Sequence, residues 1–262
     1  MTFHDWLFGG IENPTIKGQW GPLHIATLLI CIALIVAFPL VTKRLKSVEK
    51  SRRIVIFTLA ALILFFEIVR RIVQFILLSQ SGASANLAHQ ILEIIIPRPW
   101  CAVSCWLLIA SVIVRRPFFY NFASVSALLC SIIYFAYPGV GFNNQYILFD
   151  NLYSIVTHAL LLTMSITLMT LGFATFRFRD LWKTVLAFAL TIVYGLIEIF
   201  VLKVYSDPMY FMPNGDIQAD ILGIGYGLYL FLYTLLISLF ILVPHLISER
   251  GAVRAFIARL KK

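Results

Sequence analysis

The chain has 262 residues, of which 61% are hydrophobic and 13% are charged, and its mean hydropathy is +0.92. A soluble domain of this size cannot bury so much apolar surface, whereas lipid can surround it. The net charge of +9 would suggest nucleic acid in a soluble protein, but basic residues also accumulate on the cytoplasmic side of membrane spans. The composition excludes a soluble enzyme and a nucleic-acid binder, and predicts an all-α, polytopic membrane protein.

The N-terminal segment, residues 1–21, precedes the first apolar run. It lacks the basic start and apolar core of a cleavable signal peptide, so the first span is expected to insert uncleaved. Phe3, Trp6, Leu7 and Phe8 are expected to lie at the extracellular membrane interface. The predicted organisation is therefore 1–21 as an interfacial segment, 22–245 as a transmembrane helical bundle, and 246–262 as a basic amphipathic cytoplasmic tail.

Seven apolar runs predict about seven membrane spans, since about 20 apolar residues cross the hydrocarbon core as a helix. They are Pro22–Val41, Ile54–Leu78, Leu87–Val114, Phe118–Tyr137, Asn151–Phe173, Leu181–Val204 and Ile221–His245. The third run is too long for one straight crossing and contains Pro97 and Pro99, so a break is expected there.

The basic residues lie mainly on one side of this topology. With seven spans, 16 of the 21 lysines and arginines fall on one set of loops and the C-terminal tail. The opposite side carries only Lys17, Arg98 and Lys203. This asymmetry predicts an extracellular N-terminus and a cytoplasmic C-terminus. The protein is expected in the cell (plasma) membrane. The tail presents Val253, Phe256 and neighbouring apolar residues on one helical face, as expected for a helix lying on an anionic leaflet.

Charged side chains inside the spans are costly, and they normally face the bundle interior or a water-filled cavity. Span two contains Glu67, Arg70 and Arg71, and Glu67 and Arg71 lie four residues apart on one helix face. Two interpretations are open: a polar or lipid-headgroup site, or an internal ion pair that locks helices together. Glu198 of span six adds an acidic group in the same outer half.

Span five carries His158 about two turns from its outer end, after Asp150. A lone histidine there is either a packing residue or a general base, because its ordinary pKa suits proton transfer near neutral pH. Cys101 and Cys105 follow the proline break on one helix face. They are either small buried hydrophobes or, for Cys101, a thiol nucleophile near His158 with Arg98 as the nearby cation. Their spacing does not match a zinc site, and no metal or other cofactor is expected.

Short sequence motifs give the chain a family resemblance from about Trp20 to about Pro244. They are Leu23-His24, Glu67, the Pro-x-x-x-Cys word at Pro97–Cys101, the loop Tyr137–Phe142, His158 after Asp150, and Tyr210-Phe211-Met212. In these features the chain resembles the YwaF-like integral membrane family. That family is distantly related to the vertebrate transmembrane ether-lipid acyltransferase and to the androgen-induced-gene lipid hydrolases.

The resemblance implies a six- to seven-helix bundle with a polar site in its outer half. In the better-understood relatives, a nucleophile on an early helix and a histidine on a later helix act on lipid esters. His158 matches that histidine. The acyltransferase relative has a cysteine directly before the motif histidine, whereas this chain has Arg98 and Pro99 in those positions, and Cys101 matches a cysteine of bacterial members.

Two functions follow as hypotheses. The first is a lipid acyl transferase or hydrolase in which Cys101 attacks, His158 is the base, and Asp150 or Glu67 orients the imidazole. Substrate would then be bound by Glu67, Arg70, Arg71, Arg98 and Glu198. The second is a non-enzymatic membrane protein: a lipid or solute binder, a transporter, or an accessory subunit. Membrane lipids are the expected partners in both cases, and membrane-protein subunits in the second.

Overall fold

Each long apolar run forms a helix, because a helix satisfies all its backbone polar groups within one segment in lipid. The computed structural model describes residues 3–8, 20–44, 49–80, 86–136, 147–213 and 222–251, and these residues form no strand. The helices are α1 (Phe3–Phe8), α2 (Pro22–Lys43), α3 (Glu49–Gln80), α4 (Leu87–Ile95), α5 (Trp100–Val114), α6 (Pro117–Ala136), α7 (Phe149–Thr170), α8 (Leu181–Ile197) and α9 (Tyr226–Ser248). The predicted all-α membrane bundle is confirmed.

The third predicted span is broken at its two prolines. Helices α4 and α5 meet at an angle of 56° across a short gap. Pro99 precedes α5 with an extended backbone, and the Arg98–Pro99 peptide bond is cis. Proline cannot donate a backbone hydrogen bond and clashes with the preceding helical turn, so α4 ends before the pair and α5 starts after it.

Among the described residues, five helical segments have the length and apolar composition to cross a membrane, or six if the bent pair α4–α5 counts as one broken span. The remaining predicted span is α3, whose apolar run is interrupted by Glu67, Arg70 and Arg71. Its 32 residues extend about 48 Å, more than the roughly 30 Å hydrocarbon core. The count of seven and the orientation stay predictions from the charge pattern.

Helices α6 and α7 form the centre of the bundle. In the most apolar stretch of each helix, 72% of the residues of α6 and 61% of those of α7 are buried. The corresponding fractions for α2 and α9 are 17% and 11%, so these two helices expose apolar side chains such as Leu29 and Phe231 to lipid. The inner faces of α6 and α7 carry many small residues, Ser124, Ser126 and Ala127 among them, which allow close helix packing.

Residues 203–213, after α8, fold back against the proline break. The helix before them ends in a π-helical turn, Glu198–Leu202. Trp100 N–H donates to the Pro208 carbonyl at 2.9 Å, and Arg98 donates to the Val204 carbonyl at 2.8 Å. Backbone groups that the prolines leave without helical partners are thus satisfied by this segment, as burial in a membrane protein requires.

The N-terminal helix α1 packs on the bundle. Trp6 Nε1 donates to the Ile147 carbonyl at 2.9 Å, and its ring meets Phe149 edge-on. At the other end of the chain, α9 reaches Ser248, and Glu249 accepts the backbone N–H of Phe178 at 3.0 Å. Residues 252–262, where the amphipathic tail was predicted, lie outside the described residues, as do residues 9–19 and the loop Tyr137–Phe142.

Candidate functional site

The proline break fixes the position of Cys101, which is the second residue of α5. Its thiol interacts with the imidazole of His158 on α7 and with the thiol of Cys130 on α6. The chain thus brings together three residues separated by about 30 positions each, from three helices of the central bundle. Cys101 is partly exposed, whereas His158 and Cys130 are buried.

The environment of His158 determines which ring nitrogen carries the proton. Nδ1 lies 2.7 Å from the Ser154 carbonyl, which can only accept a hydrogen bond, so we assign the proton to Nδ1. Nε2 then presents a lone pair. No protein atom in the described ranges makes a well-formed hydrogen bond to Nε2, so its approach to the Cys101 thiol is close but not aligned.

Tyr134 fixes the plane of the His158 ring. The two rings stack with centroids 3.7 Å apart and an angle of 7° between them. The Ser154 carbonyl and this stacking, rather than the predicted carboxylates of Asp150 or Glu67, orient the imidazole. Asp150 is exposed in the first turn of α7, and its charge acts on Arg70 and Tyr134.

A chain of small polar groups supports the thiols. Trp100 Nε1 donates to Ser126 Oγ at 2.8 Å, Ser126 and Ser104 share a hydrogen bond at 2.7 Å, and Ser104 lies 3.4 Å from Cys130 Sγ. All these atoms are buried between α5 and α6. These hydrogen bonds fix the first turn of α5, and with it Cys101, against α6.

Glu67 is fully buried and holds a second polar cluster next to the first. One carboxylate oxygen accepts a hydrogen bond from the Tyr153 hydroxyl, and the other accepts from Arg71 at 2.5 Å. Cys105, one turn after Cys101, also interacts with Glu67. The Glu67–Arg71 pair joins α3 to α7 through Tyr153, which is the geometry of the predicted internal ion pair.

The two arginines of α3 also lie over aromatic rings. The Arg71 guanidinium is 5.3 Å from the centre of the Trp106 ring, and that of Arg70 is 5.3 Å from the centre of the Tyr153 ring. Arg70 faces Glu67, Asp150 and Tyr153, but its Nε has no hydrogen-bond partner among the residues that the structure describes. Arg70 is thus less completely bonded than Arg71.

Arg98, between the two prolines, and Glu198 lie close to each other at the proline break. Arg98 bonds the Glu93 carboxylate and the Val204 carbonyl, and stacks over Tyr205, so its contacts hold the break in place. Glu198 is fully buried near Tyr194 and Arg98, and neither carboxylate oxygen makes a well-formed hydrogen bond within the described part of the chain.

Sequence reasoning missed three contributors to the site: Cys130, Tyr134 and the Ser154 carbonyl. Ser126, Cys130 and Tyr134 are spaced four residues apart on α6, so a polar stripe on this helix was visible in the sequence. That spacing could not show which neighbouring helix the stripe faces. A backbone carbonyl such as that of Ser154 leaves no signal in residue identity. No group of three or more His, Cys, Asp or Glu side chains in the described ranges has an arrangement that could hold a metal ion.

Comparison with known proteins gives one family match. The TMEM164 family matches residues 19–244, which includes every residue of the Cys101–His158 and Glu67 clusters. Neither a curated protein nor a solved structure matches the chain significantly.

Proposed function

The chain belongs to the TMEM164 family of multi-pass membrane proteins, and we propose that it is a thiol-dependent lipid acyl transferase or hydrolase. The observation that supports this most is the interaction of the Cys101 thiol with the imidazole of His158, whose Nε2 we assign as unprotonated. A thiol beside a base held in one orientation is the arrangement that covalent acyl transfer needs. The wider kinship with YwaF-like proteins, the ether-lipid acyltransferase and the lipid hydrolases is part of this proposal.

In the first step, Cys101 Sγ attacks the carbonyl carbon of a lipid ester. The S–C bond forms as His158 Nε2 takes the thiol proton, and the carbonyl electron pair moves to oxygen. Negative charge develops on that oxygen near the N-terminus of α5, where the helix dipole carries partial positive charge. The intermediate then expels the alcohol, which takes the proton back from Nε2, and leaves a thioester on Cys101.

In the second step, an acceptor hydroxyl attacks the thioester while His158 Nε2 takes its proton. A lipid alcohol as acceptor gives a new ester, whereas water gives a free fatty acid. The C–S bond breaks, and the sulfur recovers its proton from Nε2. The Ser154 carbonyl keeps Nδ1 protonated throughout, so each proton enters and leaves through Nε2.

The location of the enzyme is part of the same proposal. Its proposed location is the plasma membrane, with membrane lipids as its partners, and the basic loops support a site in the outer half of the bilayer. Cys101 follows directly on the broken third span and is partly exposed, so an ester from the surrounding lipid can approach from the side. Arg70, one helix turn beyond Glu67, is the candidate contact for the lipid headgroup.

The proposal is tested with the full chain reconstituted in nanodiscs that contain a phospholipid with a labelled acyl chain. Mass spectrometry measures acyl transfer to an added lysophospholipid and release of the free acid. We expect Cys101→Ala and His158→Gln each to lower the rate about 100-fold or more, the scale on which nucleophiles and general bases contribute. The labelled acyl group should be trapped on Cys101 as a thioester that hydroxylamine removes.

Cys31→Ala is the matched control, because Cys31 is a buried thiol in the apolar cluster around Tyr134 but is not part of the thiol–imidazole cluster. It should keep the full rate. Full activity of Cys101→Ala, or a hydroxylamine-sensitive label that persists without Cys101, would show that another group carries the chemistry.

A non-enzymatic role is the second candidate, as a lipid or solute binder or an accessory subunit of a membrane complex. The unpartnered Nε of Arg70 favours it, since this guanidinium can still bind an anionic group. Lipid binding that is unchanged in Cys101→Ala but lost in Arg70→Gln, with no turnover in the parent chain, is the result that this role predicts.

A further inference from the structure

A cleft lies at the end of the bundle opposite to Cys101. It has a volume of about 530 Å³ and is formed by the start of α3, the end of α5 and the start of α6. Cys101 and Arg115 are at opposite ends of α5, about 21 Å apart along its axis. The cleft is therefore separate from the proposed acyl-transfer site.

The rim of this basic cleft carries more positive than negative charge. Lys50, Arg53 and Arg115 line it together with a single carboxylate, Glu49. Glu49 pairs with Arg53 at 2.7 Å, while Lys50 and Arg115 have no ion pair with any residue that the structure describes. Arg53 lowers the pKa of the exposed Glu49 carboxyl, so Glu49 is ionised at neutral pH and the net charge of the rim stays positive.

The wall of the basic cleft is apolar. Ile56 and Val112 form its buried part, whereas Ile54 and Phe57 are 54% and 67% exposed beside it. A site for a small soluble anion needs no such wall. An acyl chain, in contrast, gains by lying along exposed apolar side chains of this kind.

One polar group in the basic cleft points to a ligand. Tyr120 is only 4% exposed, and its hydroxyl has no hydrogen-bond partner among the described residues. That hydroxyl lies close enough to Arg53 and Arg115 to interact electrostatically with both guanidinium groups. A buried hydroxyl without a partner is costly. An anionic oxygen placed between the two arginines would accept a hydrogen bond from it.

We propose that the basic cleft binds one anionic phospholipid from the adjacent leaflet. Its phosphate accepts hydrogen bonds from Arg53, Arg115 and the Tyr120 hydroxyl, and its acyl chain lies along Ile54 and Phe57. Charge complementarity selects an anionic headgroup over a zwitterionic one. The site is independent of the proposed acyl transfer and would serve equally in a non-enzymatic protein.

The test measures lipid retention by native mass spectrometry on the full chain in detergent with phosphatidylglycerol or phosphatidylcholine. We expect the parent chain to retain phosphatidylglycerol at least fivefold better. Arg53→Gln combined with Arg115→Gln should remove this preference. Tyr120→Phe keeps the buried ring, and so should fold, but should lower phosphatidylglycerol retention two- to threefold.

The matched control is Arg177→Gln combined with Arg179→Gln, which removes the same charge from exposed positions on the same side of the predicted topology. It should keep the preference. An equal loss in both double variants would reduce the effect to general surface charge and overturn the site. Inorganic phosphate provides a second test, because displacement of phosphatidylglycerol by phosphate at equal concentration would show an anion site rather than a lipid site. Full retention of phosphatidylglycerol by Tyr120→Phe would also contradict the proposed site.

Discussion

The hydrogen bond from Tyr153 to Glu67 is the residue-scale contact on which the polar centre depends most. Glu67 is fully buried, and its two oxygens are held by Tyr153 and Arg71 from two different helices. A buried charge is tolerated only when it is paired and hydrogen-bonded. The contact therefore affects stability directly, and would affect the proposed acyl transfer only through the position of α7.

Removal of the Tyr153 hydroxyl should destabilise the bundle. Tyr153→Phe leaves one carboxylate oxygen of Glu67 without its donor, at a cost of about 1–3 kcal/mol. The loss should appear as a lower thermal unfolding midpoint in detergent. Tyr120→Phe is the matched control, since the Tyr120 hydroxyl has no described partner to lose. Equal midpoints for the parent chain and Tyr153→Phe would mean that water or another donor replaces the hydroxyl.

Sequence could identify the residues of this centre but not all their contacts. Glu67 and Arg71 are four apart on one helix, so their pairing follows from helix geometry alone. Cys101 and His158 are 57 positions apart, and their meeting depends on how α5 and α7 pack. The side chain of Tyr153 looked like one more aromatic residue in an apolar span. Its contact with Glu67 depends on the rotation of α7, which no local pattern specifies.

At the scale of elements, the 203–213 segment packs closely against α8. A Cβ atom added at Gly195 would lie 2.4 Å from Met209 Cγ, and Met209 is almost fully buried. Tyr233 of α9 donates to the Met209 carbonyl at 2.7 Å, and Tyr226 donates to the Phe211 carbonyl at 2.9 Å. Hydropathy predicts α8 and α9 well, but it cannot predict this segment, because its structure comes from hydrogen bonds between distant parts of the chain.

Gly195→Ala should therefore loosen the 203–213 segment. Overpacking of this kind costs about 1–3 kcal/mol, measured as a drop in the thermal midpoint. Because the clash is with one side chain, Met209→Ala in the same chain should recover part of that loss, which a double-mutant cycle would measure. Gly227→Ala is the control, since an added Cβ there meets nothing within 4 Å. A neutral Gly195→Ala would mean that Met209 can move aside freely.

At the scale of the whole molecule, two properties of the sequence determined most of the architecture. Apolar runs gave the helices, and the proline pair gave the bend between α4 and α5. The charge pattern adds the orientation of the bundle across the membrane, because a helical bundle has the same structure whichever end faces the cytoplasm. The proposed chemistry depends on that orientation, since it decides which leaflet supplies lipid to Cys101.

Labelling of single introduced cysteines tests the orientation in intact cells. Ser206→Cys lies on the side with few basic residues, and Arg179→Cys lies on the side that holds most of them; both positions are exposed. The native cysteines are buried or partly buried, so they should react slowly and give a common background. A membrane-impermeant maleimide should label Ser206→Cys in intact cells, and should label Arg179→Cys only after permeabilisation, because loops rich in lysine and arginine stay in the cytoplasm.

The reverse pattern would place Cys101 in the inner half of the bilayer and the basic cleft at the extracellular end. Labelling of both positions from outside would mean that α8, the helix between those two sites, does not cross the membrane.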